Sequence, residues 1–463
     1  MRRWLILWKL QAILITVNVR TLYNILFLIG FLVASPYYFF RLQRRGDWRQ
    51  DFFQRFAKYP PHIKQFLTNS HTLWIHAVSV GEVGLCTQLI HALEPRLPNM
   101  KIVVSTTTTT GMAELRRRLP THICKIYYPI DLRKFVNRAL ALINPEAIIL
   151  VEAEIWPNFI WRVKRLGIPL FLANARISDR SFPRYKKYGF LFRELFATFT
   201  SVGCQNEADA QRLREVGCRP ETVQVVGNMK FDAAKLGERR HLDVAAMFKQ
   251  LGVPEDALVL VAGSTHSGEE IILENIARRL RSRFPKLFLV LVPRHAERCH
   301  ELGRQLRLQG VKFIYRNEIR PETQFQPGEI NCLLVNTTGE LKFFYEQATV
   351  VFVGKSLTSV GGQNPIEPGL LGKPMVFGPN MQNFADVTRN FLAAGAARQV
   401  PTGEALESTL VTLLGDAELR LEMGRQAVQV VRENQGAIDR TVAMILEQLK
   451  PRGIYIAPAR NYS

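Results

Sequence analysis

Short runs of valine, isoleucine and leucine come in two series along this chain, and they limit its fold more than any other feature. The first series is "LWIHAVS", "KIVVSTT", "AIILVEAE", "PLFLANA", "SVGCQ" and "VQVVG", between residues 73 and 227. After a polar stretch a second begins, with "ALVLVAG", "LFLVLVP", "VKFIY", "CLLVN", "VVFVG" and "PMVFG", between 257 and 378. Each run is five to eight residues long, bounded by turn residues and followed by a helical pattern, as in parallel strands buried on both faces. Six strands, a break and six more predict two doubly wound α/β domains. A length of 463 residues agrees, being too great for one ordinary core. The predicted layout is an N-terminal segment at 1–45, a first domain at 46–232, a linker at 233–256 and a second domain with C-terminal helices at 257–463.

Residues 21–40, "TLYNILFLIGFLVASPYYFF", carry no charge, and about 20 such residues cross a bilayer core. Tyr37 and Tyr38 fit an interfacial aromatic belt, and no small-residue cleavage site closes the segment. Before Asp47 there is no acidic residue, whereas Arg2, Arg3, Lys9, Arg20, Arg41, Arg44 and Arg45 are all basic. We therefore expect a retained membrane anchor with basic flanks. The net charge of +21 calls for an anionic partner. Aromatic and basic residues do not interleave as in nucleic-acid binders, so nucleic acid is not the expected partner. The six cysteines are scattered without a CxxC pair, several within apolar runs. That pattern predicts buried free thiols in a reducing compartment, with neither a zinc site nor a disulfide framework.

Ligands of open parallel sheets bind beyond the carboxyl ends of the strands, and this chain places its polar and glycine-rich stretches there. Glu82, in "HAVSVGEV", follows a strand-to-helix turn. It reads either as a helix-start carboxylate or as a catalytic base, and a base there needs burial or nearby acids to stay basic. Glu152 and Glu154 are two apart at the end of an apolar run, which predicts a same-face carboxylate pair in which repulsion raises one pKa, or partners for Arg162 or Arg176. Lys230 in "GNMKFD" is either a surface charge or a contact for an anion. Arg294 and His295 close the strongest strand of the second half and suit an anionic ligand. In "GGQNPIEPGLLGKP", Asn364 is expected as N-cap, Pro365 as first helical residue and Glu367 as the third member of a capping box. The same turn could receive a phosphate while Glu367 meets ribose hydroxyls. There is no GxGxxG, P-loop, HExxH or DxD, so neither a resident metal nor another cofactor is expected.

Taken in order, "HAVSVGEV", "EAEIWPN", "NARISDRS", "GNMKFD", "AGSTHSGEE", "VPRHAER", "TGEL" and "GGQNPIEPGLLGKPMVFGPNMQNF" closely resemble the 3-deoxy-D-manno-octulosonic acid (Kdo) transferases of Gram-negative bacteria. The resemblance implies a GT-B architecture, two Rossmann-like domains facing a cleft. It implies inverting transfer of Kdo from CMP-Kdo onto the lipid A precursor (lipid IVA) at the cytoplasmic face of the inner membrane. It makes Glu82 the general base, with Glu152 and Lys230 stabilising the transition state. Arg294, His295, Thr338, Gly339, Glu340, Asn364, Pro365, Ile366 and Glu367 would hold CMP. The chain departs from the family pattern at Asn336, Lys355 and Gln363, where aspartate, glycine and histidine are common. The residue types by themselves leave open a GT-B enzyme of another nucleotide sugar, such as a hexosamine transferase or an epimerase, and a non-catalytic basic protein binding anionic membrane or nucleic acid.

Overall fold

The computed structural model describes residues 19–37, 40, 51–152, 154–233 and 242–458. The chain divides into two compact units, one running through Ala233 and resuming at Gln435, the other spanning Ala234–Asn434. Each is built on one all-parallel sheet of seven strands.

In the first unit the strands are β1 (Thr72–His76), β2 (Lys101–Thr106), β3 (Cys124–Tyr127), β4 (Pro145–Val151), β5 (Leu170–Ala175), β6 (Ser201–Cys204) and β7 (Val223–Val225), in the order β3-β2-β1-β4-β5-β6-β7. The chain winds outward from β1 in one direction, then crosses to β4 and winds in the other. That reversal creates the switch point at which such sheets bind ligands. Alternation along β1 sends Trp74 into one apolar layer and Leu73 and Ile75 into the other, so both faces are covered. The strand β3, "CKIY", was not expected. It is a short edge strand with Lys125 inside it, so no continuous apolar run marks it.

The second unit contains β8 (Leu258–Thr265), β9 (Leu287–Pro293), β10 (Phe313–Tyr315), β11 (Cys332–Leu334), β12 (Val350–Val353), β13 (Met375–Phe377) and β14 (Ala397–Gln399), in the order β10-β11-β9-β8-β12-β13-β14. Its switch point lies between β8 and β12, paired with Ala262 opposite Phe352. The edge strand β14, "ARQ", was also unexpected, because only its first residue is fully buried.

Two boundaries need correction. Residues 435–463 were expected in the second domain, yet the helix Ala437–Leu449 packs in the first. Its Ile438, Val442 and Ile445 join the layer that holds Leu85 and Leu89. Asp232 caps the helix start, accepting the N–H groups of Gly436 (2.6 Å) and Ile438 (2.7 Å). The expected linker, for its part, includes a helix at Val244–Gln250, capped by Asp243, with Phe248 packed on Phe288 of the second unit. Residues 234–241 of that linker lie outside the described residues.

The uncharged N-terminal segment forms a helix, Val19–Tyr37, of mean hydropathy 1.5 and long enough to cross a membrane. Its first turns are tied to the first unit. Tyr23 donates to the buried Asp131 (2.8 Å), Asn24 accepts from Asn158 (3.0 Å), and Arg20 pairs with Glu194 (3.2 Å). Leu22, Ile25, Leu26, Ile29, Leu32 and Val33 remain exposed. The basic residues flanking this helix at 2–9 and 41–45, and the rest of the expected segment before residue 19, lie outside the described residues. All six cysteines are buried free thiols, as their scatter predicts.

Candidate active site

The switch point of the first unit gathers the acidic residues singled out in the sequence. Ser79 caps the helix Val80–Leu93 directly after β1, and Glu82 stands in its first turn. The Glu82 carboxylate folds back over the turn, accepting the Val78 N–H (2.8 Å) and the Ser79 hydroxyl (2.7 Å). So the helix-start reading is correct as geometry. The pKa of Glu82 nonetheless lies above its ordinary value. Burial raises it most and the neighbouring Glu152 raises it further, outweighing the hydrogen bonds from Val78 and Ser79 that pull it down. One carboxylate thus serves as a cap and is also kept basic.

Glu152 and Glu154 come from the next strand across the switch point, but not as a same-face pair. The strand β4 ends at Val151, and Glu152 adopts a left-handed φ of 60°, which breaks the two-residue alternation. Glu152 turns toward cations, meeting Arg176 Nε at 3.5 Å and Lys230 Nζ at 3.7 Å. The raised carboxyl is Glu154, pushed up to about 7, first by burial, then by Glu82 and Glu152, against a hydrogen bond from the Trp156 indole (3.0 Å). Lys230 arrives from the loop after β7. The Asn228 side chain accepts its N–H (3.0 Å), and Asn174 accepts that of Met229 (3.0 Å). Glu82, Glu152, Arg176 and Lys230 are therefore brought together by four separate strand ends.

Beneath this rim lies His76, fully buried, its Nδ1 against Ser105 Oγ (2.9 Å) and its ring stacked on Tyr128 at 4.0 Å. Burial drives its pKa down to about 3, which keeps the imidazole neutral. It props up the β1 end and is itself enclosed.

In the second unit, the sequence reading missed the residue that organises the switch point. Glu269 is fully buried, and its carboxylate accepts four backbone N–H groups: His266 (2.8 Å), Lys355 (2.7 Å), Ser356 (2.9 Å) and Leu357 (2.9 Å). It staples the loop after β8 to the loop after β12. The signal was present in "GSTHSGEE", an acidic residue just beyond a strand and glycine turn, the same grammar as Glu82. The adjacent Glu270 accepts from Thr265 (3.0 Å) and Arg298 (3.0 Å).

Arg294 and His295 follow β9 and are exposed, as a ligand contact requires. Arg294 and Lys342 both lower the pKa of Glu367, but burial outweighs them and leaves it raised. The expected capping box is not formed there. The helix runs Ile366–Leu370 with Pro365 at the cap, and Asn364 Oδ1 takes the Ile366 N–H (3.0 Å) in a turn of its own. The Asn364 amide, not a backbone N–H, then donates to Glu367 (3.3 Å). The cause is the preceding loop, which closes on itself through Gly362 N–H to the Lys355 carbonyl (3.0 Å) and Gln363 N–H to the Gly354 carbonyl (3.1 Å). Pro365 and Ile366 are buried, leaving mainly backbone for any ligand. At the β11 end, Gly339 adopts a φ of 84° beside Thr338. Glu340 is held by Thr337 (2.5 Å) and paired with Arg316 (3.1 Å). Asn336 locks onto Asn317 by side chain (2.7 Å) and backbone (3.1 Å). Among the described residues, no group of three histidine, cysteine, aspartate or glutamate side chains is placed to hold a metal ion.

Comparison with known proteins identifies the family and the fold. The family profile described as 3-deoxy-D-manno-octulosonic-acid transferase (kdotransferase) matches residues 50–233. The 3-deoxy-D-manno-octulosonic acid transferase of Haemophilus influenzae is 32% identical over 432 residues, covering 92% of this chain and 95% of the relative. That of Bordetella pertussis is 32% identical over 379 residues, 80% of this chain and 86% of the relative. Among solved structures, UDP-GlcNAc 2-epimerase from Neisseria meningitidis bound to UDP-GlcNAc superposes with a TM-score of 0.55 at 15% identity, over 82% of this chain and 100% of that one. The last likeness shows the fold alone, the two Rossmann-like α/β units of the GT-B type. With a relative 32% identical over 92% of its length, the chain belongs to the 3-deoxy-D-manno-octulosonic acid transferases, glycosyltransferases that transfer Kdo in lipopolysaccharide biosynthesis.

Proposed function

We propose that the chain transfers Kdo from CMP-Kdo to the lipid A precursor lipid IVA by a single inverting displacement, with Glu82 as general base. The family match supports Kdo transfer, and the observation that carries the base assignment is the placement of Glu82 at the helix start after β1, partly buried and beside Glu152, which together raise its pKa. A base must be ionised yet still want a proton, and burial beside a second carboxylate creates that condition in a helix turn that would otherwise suppress it. In the reaction an acceptor hydroxyl oxygen attacks the anomeric carbon of Kdo. The bond from that carbon to the phosphate oxygen of CMP breaks, CMP leaves with the electron pair, and Glu82 takes the hydroxyl proton. Lys230, steered by Glu152, supplies positive charge where negative charge builds up in the transition state.

The second unit is proposed to hold CMP through Arg294, His295, the turn Thr338–Gly339–Glu340 and the stretch Asn364–Pro365–Ile366–Glu367. Cationic side chains at the strand ends suit a single phosphate, and we assign the leaving group to them without a resident metal. The helix Val19–Tyr37 is proposed as a single-pass anchor in the bacterial inner membrane, with both units on the cytoplasmic side. Its exposed apolar face, the six free thiols and the excess of positive charge support that placement.

Purified full-length protein, incubated with CMP-Kdo and lipid IVA in detergent, should yield lipid heavier by Kdo in a mass spectrum. Glu82→Gln should abolish transfer while leaving CMP affinity unchanged, because Glu82 belongs to the other unit. Turnover by that variant would refute the base. Thermal stabilisation by UDP rather than CMP would refute the donor.

A further inference from the structure

Lys355 adopts a left-handed backbone, φ 57°, at the start of the loop that leaves β12. A side chain other than glycine or asparagine is disfavoured there, and glycine would adopt the same turn freely. Glu269 fixes the conformation by accepting the Lys355 N–H at 2.7 Å. Above that staple, the lysine side chain lies across Gly361. A Cβ placed on Gly361 would come 3.4 Å from Lys355 Cε and 3.5 Å from Nζ. Gly361 itself has a φ of 124°, and its N–H is held by Gln382 at 2.9 Å. The ammonium therefore sits over bare backbone at the start of "GGQNPIEP", at the β8–β12 switch point. Its charge is felt by His266, whose pKa is lowered by burial first and by Lys355 next, with His295 and Arg298 acting in the same direction. Among the described residues, the Lys355 ammonium has no ion-pair partner.

A lysine held in a glycine conformation, with an unpaired ammonium laid over a glycine at a ligand-binding strand end, has no structural purpose visible in the fold. We infer that Lys355 is a binding residue of this enzyme, whose ammonium contacts an oxyanion of the donor, either its phosphate or the carboxylate of its sugar. The inference rests on the donor reading above, and the test separates the two.

The test compares full-length wild type, Lys355→Gly and Lys355→Met for binding of CMP, cytidine and free Kdo by calorimetry, alongside their melting temperatures. Lys355→Gly should melt higher by about 2–4 °C, through relief of the left-handed residue. Loss of the ammonium should weaken the charged ligand about tenfold in both variants and leave cytidine unchanged. Lys355→Met keeps the backbone state, so it should lose affinity without the gain in melting temperature. A loss for CMP places the ammonium on the phosphate, and a loss confined to free Kdo places it on the carboxylate. Unchanged affinity for both ligands in both variants would overturn the inference while leaving the donor reading intact. Failure of wild type to bind either CMP or Kdo would overturn the donor reading, and the inference with it.

Discussion

Replacing Glu269 by glutamine tests whether one buried carboxylate holds the donor half together. In the native arrangement Oε2 accepts from His266 and Lys355, and Oε1 from Ser356 and Leu357, at 2.7–2.9 Å. Glutamine keeps one acceptor oxygen and turns the other into an NH2 group that faces N–H donors. Whichever way the amide points, two of the four bonds are lost and two buried donors are left unsatisfied. At about 1–3 kcal/mol for each orphaned buried donor, Glu269→Gln should cost about 2–6 kcal/mol. For a unit of this size, each kcal/mol lowers the melting temperature by roughly 2–4 °C. Calorimetric melting of wild type and variant, each with and without saturating CMP, is the assay. We expect a large drop in the transition of the second unit and a parallel loss of CMP affinity, because the stapled loops carry Lys355 and lead into Gly361. A cost below about 1 kcal/mol would refute the reasoning, since it would mean the four donors find other partners.

Two predictions concern the carboxylates of the first unit. Glu152 raises the pKa of Glu82, so Glu152→Gln should move the acid limb of the transfer pH–rate profile to lower pH while the maximal rate falls. A limb that stays in place or moves upward would contradict the coupling. Glu154, pushed up to about 7, is neutral in the fold at low pH and charged above neutrality. Its contribution to stability is complete below the ordinary glutamate pKa and is lost as pH rises through about 7. Glu154→Gln should therefore raise stability at pH 8, by on the order of 2–3 kcal/mol at most, and change little at pH 4. Denaturant melts at both pH values check this, and an equal effect at the two would refute it.

Much of the site was legible because strand ends are legible. Glu82, Glu152 and Lys230 each follow an apolar run, and the sheet rule alone places such residues on one rim. What failed was anything that depends on a conformation sequence leaves free. The pattern "VEAE" reads as strand alternation, whereas Glu152 breaks the strand by entering the left-handed region. Asn364 and Glu367 have the spacing of a capping box, but the loop ahead of them closes first and shifts the helix start by one residue. Glu269 went unnoticed because a buried acid beside a second acid looks like any charged helix start until its four partners are visible.

By itself, then, the sequence determined the elements and their chemistry: two series of buried parallel strands, an apolar helix near the N-terminus, and polar residues beyond each strand. These follow from short-range periodicity and turn chemistry, which are written residue by residue. The tertiary structure decided partnership. It set the edge strands β3 and β14, whose identity comes from the neighbour they pair with. It returned the helix Ala437–Leu449 to the first unit, since an amphipathic stripe carries no label for the sheet it will cover. It also kept Glu82 basic, because desolvation and the field of Glu152 arise only when distant strands bring their ends together.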